Sequence, residues 1–170
     1  MNKFGVIGNP IDHSLSPMIH GEFAKEFDIE MSYEKILSPA EAFNLTAEQF
    51  ITGGGFGFNI TLPFKINAYN FSKDLTADAK AAGAVNTIKV ENNIIYGENT
   101  DGKGLVNDLK KNLKQTLQDK EILIIGAGGA TQGILKPILD NNPEKILLAN
   151  RTKEKSLRLA NEFSKYGKVC

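Results

Sequence analysis

The sequence predicts an α/β protein built from two successive parts, because segments with strand and helix character alternate along the whole chain. Short segments such as Lys3–Gly8 and Met31–Leu37 are typical of strands, and helical patterns follow them. The character changes at Glu121–Ile125, an almost wholly apolar run of the kind expected for a parallel strand buried on both faces. We place the boundary near Asp101–Lys103, which gives domains of residues 1–101 and 102–170.

In the first part, two Ser-Pro pairs predict helix starts. Ser16–Pro17 offers an N-cap serine and a proline suited to the first turn, and the stripe of Ile19, Phe23 and Phe27 is expected to be core. Ser38–Glu41 adds a capping-box glutamate, so a second helix should begin there and end before the three glycines at 53–55. A strand, a loop, a helix and a hairpin should follow, at Phe56–Ile60, Thr61–Lys65, Leu75–Ala82 and Asn86–Gly97.

The second part opens with a strand, a glycine-rich turn, a helix to about Leu139 and a second strand at Lys145–Ala149. This order is the first βαβ unit of a Rossmann-like fold, whose turn binds a pyrophosphate through backbone N–H groups and the helix N-terminus. Thr131 stands where the third glycine usually lies, and a later glycine is Gly133. Taken alone, the turn fits a glycine-punctuated loop equally well. The candidate phosphate-binding residues are Gly126, Ala127, Gly128, Gly129 and Ala130.

The residues after the second strand of this unit favour NADP over NAD. An NAD site usually carries Asp or Glu here, whereas this chain has Asn150, Arg151 and Thr152, with Lys155 just beyond. Arginine pairs bidentately with a phosphate such as the 2′-phosphate of NADP. The alternative is a solvated helix N-terminus capped by Asn150 or Thr152.

Composition restricts the partners. Lys and Arg number 20 and Asp and Glu number 20, so charge gives no case for a nucleic acid or an anionic membrane. No segment approaches the ~20 apolar residues of a membrane span. Cys170 is the one cysteine, which excludes a disulfide framework and leads us to expect the cytoplasm. His13 and His20 show no metal-ligand pattern, so no metal is expected.

Six motifs occur in a characteristic order, at Gly5–Pro17 (GVIGNPIDHSLSP), Asn59–Lys65 (NITLPFK), Gly83–Ile88 (GAVNTI), Gly97–Gly102 (GENTDG), Gly126–Ala130 (GAGGA) and Asn150–Thr152 (NRT). Together they resemble the shikimate dehydrogenase family. The sequence departs from that family where it usually has Asn, His, a basic residue and Arg, at Gly21, Phe64, Gln132 and Lys155. The last two departures would weaken the grip on the cofactor phosphates.

The resemblance implies an N-terminal α/β substrate-binding domain followed by a Rossmann-like NADP-binding domain. It implies reversible reduction of 3-dehydroshikimate to shikimate with NADPH, a step towards aromatic amino acids. Ser14 and Ser16 would bind the substrate carboxylate, and the ring hydroxyls would be bound by Thr61, Asn86 and Asp101. Lys65 and Asp101 would form the catalytic pair, in which the ammonium stabilises charge on the reacting oxygen.

Other interpretations stay open at this level. Taken singly, Lys65 fits a solvated surface lysine, and Asp101 or Ser16 fits a helix N-cap. A quinate/shikimate dehydrogenase that accepts NAD and a non-catalytic shikimate-binding protein are the alternative functions. Members of the family are longer, and only two strands of the second part are complete. We therefore expect a chain truncated on its C-terminal side, inactive alone, that self-associates through the incomplete cofactor domain.

Overall fold

The computed structural model describes every residue from Met1 to Cys170, and the chain forms two compact units. The first unit comprises Met1–Thr76 and Ala84–Glu98. The second comprises Ala77–Gly83 and Asn99–Cys170. A short helical segment from within the first hundred residues is therefore built into the second unit.

One mixed sheet of six strands organises the first unit. Its strands are β1 (Asn2–Gly8), β2 (Met31–Leu37), β3 (Gly55–Ile60), β4 (Asp74–Leu75), β5 (Thr87–Glu91) and β6 (Ile94–Glu98), in the spatial order β2-β1-β3-β5-β6-β4. β1 is parallel to β2 and β3, whereas β5 is antiparallel to β3 and β6. The carboxyl ends of β1 and β3 therefore meet the amino end of β5 at one edge of the sheet.

The predicted hairpin between β5 and β6 is confirmed. Asn92 and Asn93 connect the strands with φ of 51° and 61°, the left-handed backbone that a two-residue hairpin turn requires and asparagine tolerates.

Helices α1 (Ser16–Glu26), α2 (Phe43–Thr52) and α3 (Lys65–Phe71) belong to the same unit. The buried aromatic rings of Phe43 and Phe64 stack with centroids 5.3 Å apart. The prediction that Ile19, Phe23 and Phe27 form core is wrong, because they are 43%, 51% and 67% exposed and α1 buries none of its residues. No other element of the first unit covers that face of α1.

Both predicted Ser-Pro helix starts need correction. Leu15 occupies the N-cap position of α1, and Ser16 is its first helical residue. The second helix begins at Phe43 rather than near Ser38. Ser38 is fully buried, and its hydroxyl bonds to the Pro39 carbonyl and to Thr46, so it closes a turn ahead of the helix instead of capping it.

Two further local predictions were wrong. Lys65 does not end a loop but begins α3, since the amide N–H of Phe64 closes a turn onto the Thr61 carbonyl and leads directly into the helix. The helix expected over Leu75–Ala82 is shorter, because Leu75 pairs with Gly97 in the sheet and α4 spans only Ala77–Ala82.

The second unit contains α4, α5 (Asp101–Asn107), β7 (Glu121–Ile125), α6 (Gly129–Leu139), β8 (Lys145–Ala149) and α7 (Lys153–Phe163). A π-helical turn at Asp108–Asn112 continues α5. β7 and β8 are parallel, as the βαβ pattern predicts. Val169 forms a parallel bridge with Ile146, so the strand expected at the end of the chain does begin there, on the outer edge of β8.

The sheet of the second unit has one covered and one open face. Ile122, Ile124, Ile146 and Leu148 pack onto a core supplied by α5, α6 and α7. The opposite face exposes Leu123 and Ile125 by 60% and 84%. Burial on both faces was therefore a wrong prediction for these strands, since every helix that packs on this sheet lies on the same side.

None of the helices has the length and apolar character needed to cross a bilayer.

Candidate functional site

The loop after β1 brings two serine hydroxyls together. Its backbone is held by Asn9, whose side-chain amide donates to the Ser38 carbonyl at 2.9 Å, and by Lys35, whose ammonium donates to the Asp12 carbonyl. Ser14 Oγ lies 3.2 Å from Ser16 Oγ and accepts the Ser16 amide N–H at 3.3 Å. Both serines are half-buried at the N-terminal end of α1.

Thr61 and Asn86 lie at the same edge of the sheet as this loop. Thr61 directly follows β3, and its N–H donates to the Ile7 carbonyl of β1 at 3.0 Å. Asn86 directly precedes β5, and its backbone is fixed on both sides, since its carbonyl accepts the Ile60 N–H and its own N–H donates to Glu98. Asn86 is buried and 9% exposed.

A cavity of about 410 Å³ opens between these segments. It brings together four of the predicted substrate-binding residues, and its lining includes Ser14, Ser16, Thr61 and Asn86. Lys65 is half-buried at the first position of α3, and its carbonyl accepts the Val85 N–H at 2.9 Å, which ties it to the segment that carries Asn86.

His20 and Asn59 also line the cavity, and neither was singled out as a site residue from the sequence. Both had a signal in the pattern. His20 lies four residues after Ser16 and therefore on the same face of α1. Asn59 is a polar residue between buried Phe58 and Ile60, near the carboxyl end of a strand.

Asp101 belongs to the second unit, as the first residue of α5. Thr100 occupies the N-cap position, so Asp101 is not the helix cap, and its N–H donates to the Asn99 side-chain oxygen at 3.1 Å. Gly133 of α6 lies against this turn, because a Cβ on it would come within 3.4 Å of Asp101 Oδ2. A Cβ on Gly102 would come within 2.8 Å of the Gly133 carbonyl oxygen. Gly133 therefore allows α5 and α6 to pack closely beside Asp101.

The glycine-rich turn has the geometry of a phosphate-binding loop. Gly126 has a φ of +120°, which glycine adopts freely, and its carbonyl accepts the Thr131 hydroxyl at 2.9 Å. Thr131 therefore closes the turn from the position where a third glycine is usual. Gly128 is the N-cap residue and Gly129 the first residue of the 11-residue helix α6. The exposed backbone from Gly128 to Ala130 can receive an anion.

Asn150 joins this turn to the end of β8. Its side-chain oxygen accepts the Ala127 N–H at 3.2 Å, and its side-chain amide donates to the Thr152 carbonyl at 2.7 Å. Thr152 occupies the N-cap position of α7 but forms no side-chain cap bond, which removes the capping alternative for both residues. Arg151 and Lys155 are exposed beside them.

No cluster of three or more His, Cys, Asp or Glu side chains is arranged to hold a metal ion.

Comparisons with known families agree along the chain. Residues 6–88 match the model described as shikimate dehydrogenase substrate binding domain. Residues 108–169 match the model described as shikimate / quinate 5-dehydrogenase.

Two of the curated relatives carry the same name. A protein of Ruthia magnifica subsp. Calyptogena magnifica called shikimate dehydrogenase (NADP(+)) is 57% identical over 170 residues, which cover 100% of this chain and 64% of that relative. A protein of the same name from Chromobacterium violaceum is 46% identical over 168 residues, covering 99% of this chain and 62% of the relative. The chain thus spans less than two thirds of their length.

Solved structures show the same fold. Shikimate dehydrogenase from Aquifex aeolicus superposes with a TM-score of 0.92 at 34% identity, covering 100% of this chain and 62% of that one. Shikimate 5-dehydrogenase from Thermus thermophilus, solved in complex with NADP(H) and shikimate, gives a TM-score of 0.90 at 31% identity, with coverage of 100% and 63%.

Proposed function

The chain belongs to the shikimate dehydrogenase family, and from that premise we propose that it interconverts 3-dehydroshikimate and shikimate with NADP when it acts within a protein as long as its relatives. The observation that carries the proposal is the cavity in which Ser14, Ser16, Thr61 and Asn86 converge. Three hydroxyls and an amide in one polar cavity suit a small ring that bears a carboxylate and several hydroxyls.

The serine pair is the candidate carboxylate site. Ser14 and Ser16 lie 3.2 Å apart at the oxygen atoms, so both hydroxyls can point at one anionic group. Ser16 begins the 11-residue helix α1, whose N-terminus carries a partial positive charge that favours an anion. Thr61 and Asn86, on the strand ends across the cavity, would then bind ring hydroxyls. Analogues without those hydroxyls would leave polar groups unpaired and would be rejected.

Lys65 and Asp101 are the proposed catalytic pair. Hydride addition to the carbonyl carbon of 3-dehydroshikimate leaves negative charge on its oxygen. The Lys65 ammonium would stabilise that charge and deliver a proton to it. Asp101 would bind a substrate hydroxyl through its carboxylate. Their support is the position of each residue in its own unit, at the first residue of α3 and of α5.

NADP is the proposed cofactor, and when bound it would exchange the hydride with the substrate carbon. The turn from Gly126 to Ala130 and the N-terminus of α6 fit its pyrophosphate. Exposed Arg151, with Thr152 and Lys155 beside it, fits the 2′-phosphate. Asn150 would hold this turn in shape through its bond to Ala127. Substrate binding is thus assigned to residues 1–101 and cofactor binding to residues 102–170.

A second copy of the chain is the proposed partner of the open face of the second unit. β7 pairs only with β8, so one edge of the sheet is unpaired, and Leu123 and Ile125 project beside it. Sedimentation velocity should show a dimer or larger species that dissociates in Ile125→Glu. A monomer at all concentrations would contradict this proposal.

The one cysteine, Cys170, supports a cytoplasmic location, which fractionation of cells would test.

A titration of the 170-residue chain with shikimate tests the proposed substrate site. Two-dimensional NMR should show the backbone amides of Ser14, Ser16, Thr61 and Asn86 shifting together. Shifts elsewhere, or none at millimolar shikimate, would overturn the assignment. Quinate with NAD, offered in parallel to a protein as long as the relatives, separates the proposed enzyme from a quinate/shikimate dehydrogenase. Binding without turnover in that protein would support the non-catalytic alternative.

A further inference from the structure

Tyr33 lies on β2, outside the lining of the proposed substrate cavity. Its ring stacks on the imidazole of His20, with centroids 4.4 Å apart and planes 7° from parallel. Its hydroxyl donates to Asn59 Oδ1 at 2.6 Å. The hydroxyl therefore reaches across β1 to the end of β3.

The chain of hydrogen bonds continues from Asn59 to Asn86. Asn59 Nδ2 donates to Thr87 Oγ1 at 3.1 Å, and Thr87 Oγ1 donates to Asn86 Oδ1 at 3.0 Å. Tyr33 fixes which end of the Asn59 amide is oxygen, and this leaves Nδ2 to face Thr87. Thr87, having accepted that bond, gives its proton to Asn86. The amide nitrogen of Asn86 is therefore the end turned away from Thr87.

The hydroxyl of Tyr33 is suited to a constant donor role. Burial raises its pKa above the ordinary value, and the bond from Ser16 offsets this only in part. The group therefore keeps its proton over the range in which enzymes operate.

This network forms a wall of the site. His20 and Asn59 line the proposed substrate cavity and also a second, mostly apolar groove of about 290 Å³. The groove is completed by Tyr33, Thr87 and apolar side chains that include Phe4, Phe56 and Phe58. The groove offers few polar partners, so the side chains of Tyr33, Asn59 and Thr87 hydrogen-bond to one another. Removing the Tyr33 hydroxyl would leave a polar group of Asn59 without its partner, which would cost free energy.

We propose that Tyr33 is a positioning residue that sets, through Asn59 and Thr87, the orientation of the Asn86 amide for substrate recognition. The inference rests on the proposed function, since it takes the cavity as the shikimate site. Tyr33 touches neither substrate nor cofactor in this role. It acts by making the donors of the site pre-arranged, so that binding does not require them to be ordered.

Tyr33→Phe tests the inference in the 170-residue chain. It should weaken shikimate binding roughly tenfold in calorimetry, the effect of about one hydrogen bond. It should also reduce discrimination against monodeoxy analogues of shikimate, because the Asn86 amide loses its support. A purely structural role would lower stability without changing those ratios. Tyr96→Phe, a half-buried tyrosine of the same sheet, is the matched control and should change neither.

Thr87→Val breaks the same network one step nearer Asn86. It should reduce discrimination against a monodeoxy analogue, while discrimination against shikimate methyl ester stays as in the parent chain. Side-chain amide NMR signals of Asn86 should shift in both variants without ligand, which tests the network even if Tyr33→Phe is poorly folded. Failure of the parent chain to bind shikimate would defeat the proposed function. Parent-like binding, discrimination and Asn86 signals in Tyr33→Phe would defeat the positioning role alone.

Discussion

The two units differ in how much of a site each contains by itself. In the first, four predicted substrate-binding side chains from three separate segments line one cavity. In the second, the glycine-rich turn is formed, but the sheet behind it is covered on one face only, and Ile125 is 84% exposed. A cavity at the ends of strands needs only the loops that follow those strands. A parallel sheet needs layers on both faces, which two strands and their helices cannot supply.

The largest expected effect of this difference is on turnover. We expect the 170-residue chain to oxidise shikimate with NADP at no useful rate, although we also expect its first unit to bind shikimate. Fusing the part of the Ruthia magnifica relative that this chain does not span should give a chimaera with turnover. Initial rates of NADPH formation would measure both. Ordinary dehydrogenase rates from the chain alone would show that the second unit needs no further cover.

Each unit carries one of the two proposed catalytic residues, and removing either residue should lower turnover. In the chimaera, Lys65→Ala should lower kcat by roughly 10²- to 10⁴-fold, with a modest effect on shikimate affinity, because the charge counts mainly in the transition state. Asp101→Asn should also cripple turnover, since it keeps the shape but loses the charge. Steady-state kinetics measure both, and the exposed Lys89→Ala serves as control. Near-normal kcat in Lys65→Ala would remove that residue from the mechanism.

The proposed cofactor site can be tested separately from catalysis by a substitution at Arg151. Arg151→Ala in the chimaera should weaken NADP binding by about 1.5–3 kcal/mol, a charge-assisted pair, and leave NAD binding nearly unchanged. Fluorescence titration with both cofactors gives the comparison. Lys153→Ala, a cation on the same turn, should have the smaller effect. Equal weakening of NADP and NAD in Arg151→Ala would show that Arg151 does not read the 2′-phosphate.

Two glycines of α5 sharpen the packing argument in the second unit. Gly102→Ala should destabilise by about 1–3 kcal/mol, because its Cβ would come within 2.5 Å of Pro137 Cγ and 2.8 Å of the Gly133 carbonyl oxygen. Gly104→Ala, in the same helix with open space around it, should stabilise by about 0.5–1 kcal/mol. Urea denaturation measures both. Similar effects of the two substitutions would contradict the close approach of α5 and α6.

The smallest expected effect is the pH dependence of the first unit. Burial lowers the pKa of His20 below 6.5, and a bond with Asn59 opposes this in part. The unfolded chain then binds the extra proton more readily, so His20 should reduce the free energy of unfolding as the pH falls below 6.5. His20→Gln should flatten this slope between about pH 7 and pH 5. An unchanged slope in denaturation curves would show that burial of His20 is not coupled to stability.

Much of the fold could be predicted from local pattern. The predicted bounds of β2, β7 and β8 match the structure, and Asn92–Asn93 predicted the hairpin. Helix starts were less predictable, because Ser38 satisfies a capping motif and yet is buried in a turn. A serine can form a local hydrogen bond either in a turn or at a helix N-cap, and its tertiary surroundings decide between the two.

Motif order alone indicated the family, the candidate residues and the choice of cofactor, since these depend on residue types at fixed spacings. Tertiary structure alone decided which residues share a cavity and what holds them there. Tyr33 and Asn59 are 26 residues apart, and nothing local relates them until β1 brings their strands to either side of it. Only the tertiary structure likewise shows that one face of β7 and β8 is open. An apolar run predicts that a strand should be covered, but it does not predict whether other elements of the chain cover it.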